Sequence, residues 1–133
     1  MKNLRGNQNA AALREMKALC NAKGIRLIVF THPEHQVDMD RFVFEEYAAF
    51  LRQIASVTEF WDFSGYTEVS QQNVLYYEPG HYRPPISELI AAQIFGNSVI
   101  KEPKSFGVMI NATNIDERIA MLAWQFKDRD GWK

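Results

Sequence analysis

The stretch "YYEPGHYRPP", residues 76–85, sets a glutamate three residues ahead of a histidine across a Pro-Gly turn. Histidine titrates near neutrality and is the commonest general base. A carboxylate at this spacing can accept the imidazole Nδ1–H and fix the tautomer that leaves Nε2 to take a proton, as in nucleophilic triads. His81 is therefore a candidate base and Glu78 its orienting acid. The same E-x-x-H spacing suits a solvated loop histidine beside an incidental glutamate, so spacing alone leaves both readings open. A second polar stretch, "THPEH" (31–35), brings His32, Glu34 and His35. Three histidines would suffice in number for a zinc site. Pro33 separates His32 from His35, however, and the segment reads as a loop, so neither metal nor cofactor is called for.

Tyr77, Tyr82 and Arg83 flank the pair. Tyrosine rings can stack on sugars, and Tyr66, Tyr76 and Trp61 belong to the same set. Packing of the loop onto the core is the plainer role for Trp61 and some of the tyrosines. Arg83 suits a substrate carboxylate or, more simply, a surface ion pair. Glu34 and His35 fall where they would shape the rim of a site.

The elements that must position these residues follow from periodicity. "NAAALREMKALCNAKG" (9–24) reads as a helix with Leu13, Met16, Leu19 and Cys20 on its inner face and Gly24 just past its end. Cys20 then reads as a buried thiol. "IRLIVF" (25–30) is an apolar, β-branched run of the kind covered on both faces, which points to a parallel sheet. A second helix fits from about Asp40 to Ser56, with Met39, Val43, Phe50, Leu51 and Ile54 inward and Arg41, Glu45, Glu46 and Arg52 outward. "VTEFWDF" (57–63) reads as a strand, and residues 64–83 form a connection longer than the usual αβ or βα loop.

Pro84 and Pro85 open a third helix, with Ile86, Leu89, Ile90 and Ile94 buried and Gly96 ending it. A short strand covers Phe106–Ile110. The last helix starts near Asn114 with Glu117 three residues on, a capping-box pattern, and carries Ile115, Ile119, Leu122 and Phe126 inward. Residues 129–133 read as a frayed tail. This alternation predicts an α/β fold, three layers α/β/α around a small, mainly parallel sheet. In such sheets ligands bind beyond the carboxyl ends of the strands, and both histidine-bearing loops fall there. A sheet of three short strands leaves an edge or face in need of a partner.

Bulk composition narrows the classes. The 133 residues fit one domain with a real core. Fifteen basic and sixteen acidic side chains, with no basic block, exclude electrostatic nucleic-acid binding. The single cysteine excludes an internal disulfide and a multi-cysteine zinc site. The N-terminus has no apolar signal region, and no apolar run approaches the ~20 residues of a membrane span.

"FWDFSGY…YYEPGHYRPPISELIAAQIFG" resembles the C-terminal part of the SGNH (GDSL-like) hydrolase superfamily, nearest to its bacterial envelope members related to alginate-type O-acetyltransferases. The family's last block reads D-x-x-H-Y/F, then an arginine and a helix ending in "FG". The "I-x-L-x-V-F-x-x-P-E-H" segment and the closing "FGV…NI" region fit as well, so the resemblance spans residues 9–128. It implies that His81 is a base oriented by Glu78, in an esterase or O-acyltransferase acting on envelope polysaccharide. The substrate would be an acylated saccharide or small ester, and the parent protein would work in the periplasm or cell envelope.

Two departures matter. Aspartate is usual where Glu78 stands, and one extra methylene re-aims the ring; ~1 Å of misplacement can cost ~100-fold in rate. The family's nucleophile lies in an N-terminal G-D-S block, and none of Ser56, Ser64, Ser70, Ser87, Ser98 or Ser105 has that setting or a G-x-S-x-G one. The glycine and asparagine oxyanion blocks are absent too. The chain thus reads as one incomplete domain, the C-terminal half of an SGNH-like unit, inactive alone. Homodimerisation or pairing with an N-terminal half would complete it. The alternative is a non-catalytic remnant or a partner-binding module.

Overall fold

A computed structural model of the chain describes residues 6–96 and 106–129. The fold is mixed α/β, with five α-helices, a three-stranded sheet and a separate two-stranded hairpin among those residues. Helix α1 (Gly6–Ala22) leads through Gly24, at φ 65°, into β1 (Phe30–Thr31). A short α2 (Gln36–Met39) precedes α3 (Phe44–Val57), which feeds β2 (Phe60–Asp62). A 3₁₀ turn (Asn73–Leu75) then enters the hairpin β3 (Tyr76–Glu78) and β4 (His81–Tyr82). Helix α4 (Pro84–Phe95) carries proline in its first turn and ends on left-handed Gly96. β5 (Val108–Ile110) and α5 (Ile115–Lys127) complete the chain. Ser98, Ser105 and the last four residues, 130–133, lie outside the described residues.

The sheet order is β1-β2-β5. β1 runs parallel to β2, whereas β5 is antiparallel to it, pairing Val108 with Asp62 and Ile110 with Phe60. The sheet is therefore mixed rather than mainly parallel. Alternation of helices and strands does not reveal which end of the sheet the chain enters, and β5 enters beside the C-terminal end of β2 and runs back.

Side-chain alternation along β2 divides the core. Phe60 joins Tyr47, Leu51, Ile110, Ile119, Leu122 and Phe126 of one cluster, while Phe63 joins Tyr76, Ile86, Ile90 and Phe106 of another. The inward stripes of α4 and α5 are thus those expected. Arg118 was absent from the expected stripe of α5, yet it is also buried. Asn114 precedes α5 but does not cap it through its side chain; its Oδ1 accepts from Asn111 N, so the capping box is not formed.

The N-terminal expectations need the largest correction. Met16 and Leu19 are 52% and 57% exposed, and Cys20 is only half-buried. Within the run 25–30 only Phe30 enters the ladder, with Ile25 and Phe30 exposed. α1 rests on α3. The expected helix from Asp40 to Ser56 is split by a turn at residues 40–43, which moves Met39 into α2 and puts Tyr47, Ala48, Leu51 and Ala55 on the buried face of α3.

Candidate functional site

The hairpin builds the site. Its Pro79-Gly80 tip lacks the period-two pattern that would mark strands in the sequence, yet Glu78 and His81 face each other across it. A bulge between Tyr76 and Glu78 lets Tyr76 turn into the core while Tyr77 and Glu78 both face outward. Glu78 Oε1 accepts a hydrogen bond from His81 Nδ1. The side chains are 63% and 74% exposed, so water screens the pair and its energy is small. The bond's value is directional: with Nδ1–H given to Glu78, the neutral ring presents Nε2 as an acceptor. Among the described residues Nε2 meets no hydrogen-bond partner.

The loop after β1 meets this hairpin, as its place at the carboxyl end of the strand predicted. Tyr76 donates its hydroxyl proton to Pro33 O at 3.0 Å, and His35 N donates to Pro79 O at 3.2 Å. The His32 ring lies 4.7 Å from that of Tyr82, tilted by 33°. His32 Nδ1 is 3.8 Å from Glu34 Oε2. Burial pushes the Tyr76 hydroxyl well above the ordinary tyrosine range, and the nearby charge of Glu34 adds to the shift. It therefore stays a proton donor to Pro33 throughout the neutral range.

His35, expected at the rim, lines the depression beside the pair and is also built into the fold. It is buried, its Nδ1 accepts from Val37 N at 3.2 Å as the N-cap of α2, and its Nε2 donates to Asn73 Oδ1 at 2.8 Å. Both ring nitrogens are used inside the fold, which removes His35 from any shared metal with His32 and His81. Among the described residues no group of three or more His, Cys, Asp or Glu is placed to hold a metal ion. Among the described residues Arg83 makes no ion pair. Its Nε donates to Tyr76 O at 3.0 Å and its guanidinium lies 4.5 Å from the centre of the Tyr77 ring, a cation–π contact instead of an ion pair. Tyr66 and Tyr76 pack in the core, as the plainer reading had it, whereas Tyr77 is exposed and Tyr82 half-buried. A depression of about 280 Å³ beside the pair is lined by His35, Val37, Asn73, Tyr77, Glu78 and Pro79.

The serines offer His81 no partner among the described residues. Ser64 is buried and donates to Asp62 Oδ1 at 2.6 Å, Ser70 donates to Thr67 O at 3.0 Å, and Ser56 donates to Gln53 O at 2.7 Å.

Sequence reasoning passed over the most elaborate polar cluster. Asp62 is fully buried, and its Oδ1 accepts from Thr31 Oγ1 (2.6 Å), Ser64 Oγ (2.6 Å) and Ser64 N (3.0 Å). Its Oδ2 accepts from Arg118 Nε at 2.7 Å, and Arg118 Nη2 donates to Ser64 O at 2.9 Å. Burial alone would raise the Asp62 carboxyl, but the Arg118 charge and the hydrogen bonds from Ser64, Thr31 and Arg118 outweigh it and hold it below the ordinary value. The Tyr47 hydroxyl, bonded to Ser64, is pushed well up by burial and by the Asp62 charge. The signal was present in the sequence: an aspartate inside an apolar strand, and an arginine at an i, i+3 position between Ile115 and Leu122 on the inner face of α5. The cluster is closed to solvent and ties β1, β2 and α5 together at the end of the sheet where the histidine loops emerge.

Compared with protein-family models, with curated proteins and with solved structures, the chain matches none of them.

Proposed function

We propose that the chain carries the histidine–acid half of an SGNH-like esterase or O-acyltransferase site, with His81 the base and Glu78 the residue that orients it. The observation that carries this reading is the Glu78–His81 bond itself, made across a two-strand hairpin anchored to the loop after β1, with Nε2 left to face an incoming hydroxyl. The substrate class is an acylated saccharide or small ester of the cell envelope. A three-layer SGNH-like arrangement of helices about the sheet belongs to this reading, as do Tyr77, Tyr82 and Glu34 as rim residues. The nucleophilic serine comes from outside the described residues.

Long-range ¹H–¹⁵N NMR of the imidazole, recorded above its titration, tests the base assignment. His81 is expected as the Nδ1–H tautomer, reverting toward the Nε2–H form of free histidine in Glu78→Gln. Equal tautomer populations in the two proteins would remove the orienting role of Glu78. In the same preparation a fluorophosphonate probe is expected to label nothing, and p-nitrophenyl acetate turnover should equal that of His81→Ala. Labelling of the chain would show that it holds its own nucleophile. An O-acetylated oligosaccharide is expected to perturb the backbone amides of Glu78–Arg83, and no perturbation would set the saccharide class aside.

A second reading, a non-catalytic partner-binding module, is favoured by one observation: the outer flank of α1 and the outer edge of β1 are uncovered among the described residues.

A further inference from the structure

The run Ile25–Phe30 has the composition of a strand covered on both faces, yet β1 ends the sheet and pairs only with β2. Among the described residues no hydrogen bond reaches the backbone of Arg26, Leu27 or Ile28. Leu27, Ile28 and Val29 are nevertheless half-buried, where unpaired amides and carbonyls are costly. Beside this edge lies an apolar groove of about 340 Å³ between α1, β1 and α3, lined chiefly by Leu13, Met16, Val29, Phe30, Phe50 and Ile54. Met16 and Leu19, one helical turn apart, extend the same apolar surface outward. An unpaired backbone edge beside a trough for apolar side chains is what an added β-strand requires.

Charge decides what kind of strand. Residues 1–30 hold six basic side chains and one acidic, whereas residues 31–133 hold nine basic and fifteen acidic. Arg26 lies on the open segment itself, Lys23 in the turn that leads into it and Arg14 beside Leu13 of the groove, and all three are exposed. A second copy laid edge to edge would bring two such basic borders together. Like charges suppress that pairing, and an acidic partner is drawn in.

We infer that the outer edge of β1 is a docking site for an extended segment of a separate, acidic polypeptide, which adds a strand beside Arg26–Ile28 and places its apolar residues in the groove against Leu13, Met16 and Phe30. This inference rests on the open edge behind the second reading above and is independent of the Glu78–His81 pair.

The probe is a soluble peptide of alternating valine and glutamate, with a valine–lysine counterpart, added to the whole chain. Saturation with the acidic peptide is expected to slow amide hydrogen exchange within Arg26–Ile28 by about tenfold or more, leaving the Glu78–Arg83 amides unchanged. The lysine peptide is expected to give no protection. Arg26→Glu with Lys23→Glu should reverse the preference between the peptides. Ile28→Pro, which removes an N–H on the side of the strand away from Trp61, should abolish protection by the acidic peptide. Unchanged exchange at Arg26–Ile28 with the acidic peptide overturns the inference, as does equal protection by both peptides. Protection that rises with chain concentration in the absence of peptide also overturns it, by showing a self-dimer at this edge. None of these outcomes alters the tautomer of His81, so the catalytic reading stands or falls separately.

Discussion

Asp62→Ala is expected to destabilise the fold by about 3–5 kcal/mol, the range for removing one partner of a buried ion pair. The substitution leaves the Arg118 guanidinium buried opposite no charge, with Nη2 still held by Ser64 O. It also removes the acceptor for Thr31 and Ser64. Against a typical domain stability of about 5–15 kcal/mol the loss is large. Chemical denaturation followed by circular dichroism reads it as a shift of midpoint at constant slope. The double variant Asp62→Leu with Arg118→Met is expected to recover much of the loss, because no charge is then stranded. A double variant as unstable as Asp62→Ala would mean that the cluster acts through shape and not through charge.

The same carboxylate sets an acid dependence whose sign is fixed. Its folded pKa lies below the ordinary value of 3.8, so folding favours the ionised form. The associated stability is present in full above the unfolded pKa and is lost as the pH falls through the folded one. The loss is therefore expected below about pH 4, the reference value for aspartate. This part of the acid dependence should vanish in the double variant.

Gly107→Ala is expected to cost about 2–5 kcal/mol, from left-handed backbone strain and from overpacking together. Gly107 has φ 82° at the entry to β5, and an added Cβ would run into the Phe63 ring and come within 2.9 Å of Gln93 Cγ. Neither neighbour can withdraw easily: Phe63 is buried among Tyr76, Ile86 and Phe106, and Gln93 Nε2 donates to Gly107 O at 2.9 Å. Gly24→Ala supplies the comparison, since Gly24 has a similar φ of 65° but nothing within 4 Å of its added Cβ. That variant should lose only the conformational part, about 1–2 kcal/mol. Equal thermal shifts in the two variants would remove the packing argument at Gly107.

The parts of the fold legible in the sequence are those governed by local rules. α4 and α5 follow from apolar periodicity, and Gly24 and Gly96 sit at left-handed φ where helix termination places them. The meeting of the two histidine loops followed from where the chain leaves β1 and where the long connection after β2 ends. Features set by distant partners were not legible. The hairpin at 76–82 is made by a turn and a bulge, which leave no alternation to read. The bond from His35 to Asn73 joins residues 38 positions apart, which no local pattern announces. The exposure of Met16 and Leu19 could not be foreseen, because an apolar stripe records only that something covers it, without saying what. Asp62 and Arg118 could have been paired from sequence by asking why each charge occupies an apolar phase, one in a strand and the other in a helix.

The Asp62 cluster also bears on how the chain folds. Its bonds span 31 residues to Thr31 and 56 to Arg118, so they require long loops to close. The Arg118 bond exceeds even the 40 residues between Lys17 and Val57, where α1 meets α3. Contacts of such long sequence separation slow folding and form late, when the neighbouring helices already stand. Late contacts act mainly on the barrier to leaving the native state. The carboxylate that joins β1 to α5 therefore governs how long the fold lasts once made, more than how fast it is reached.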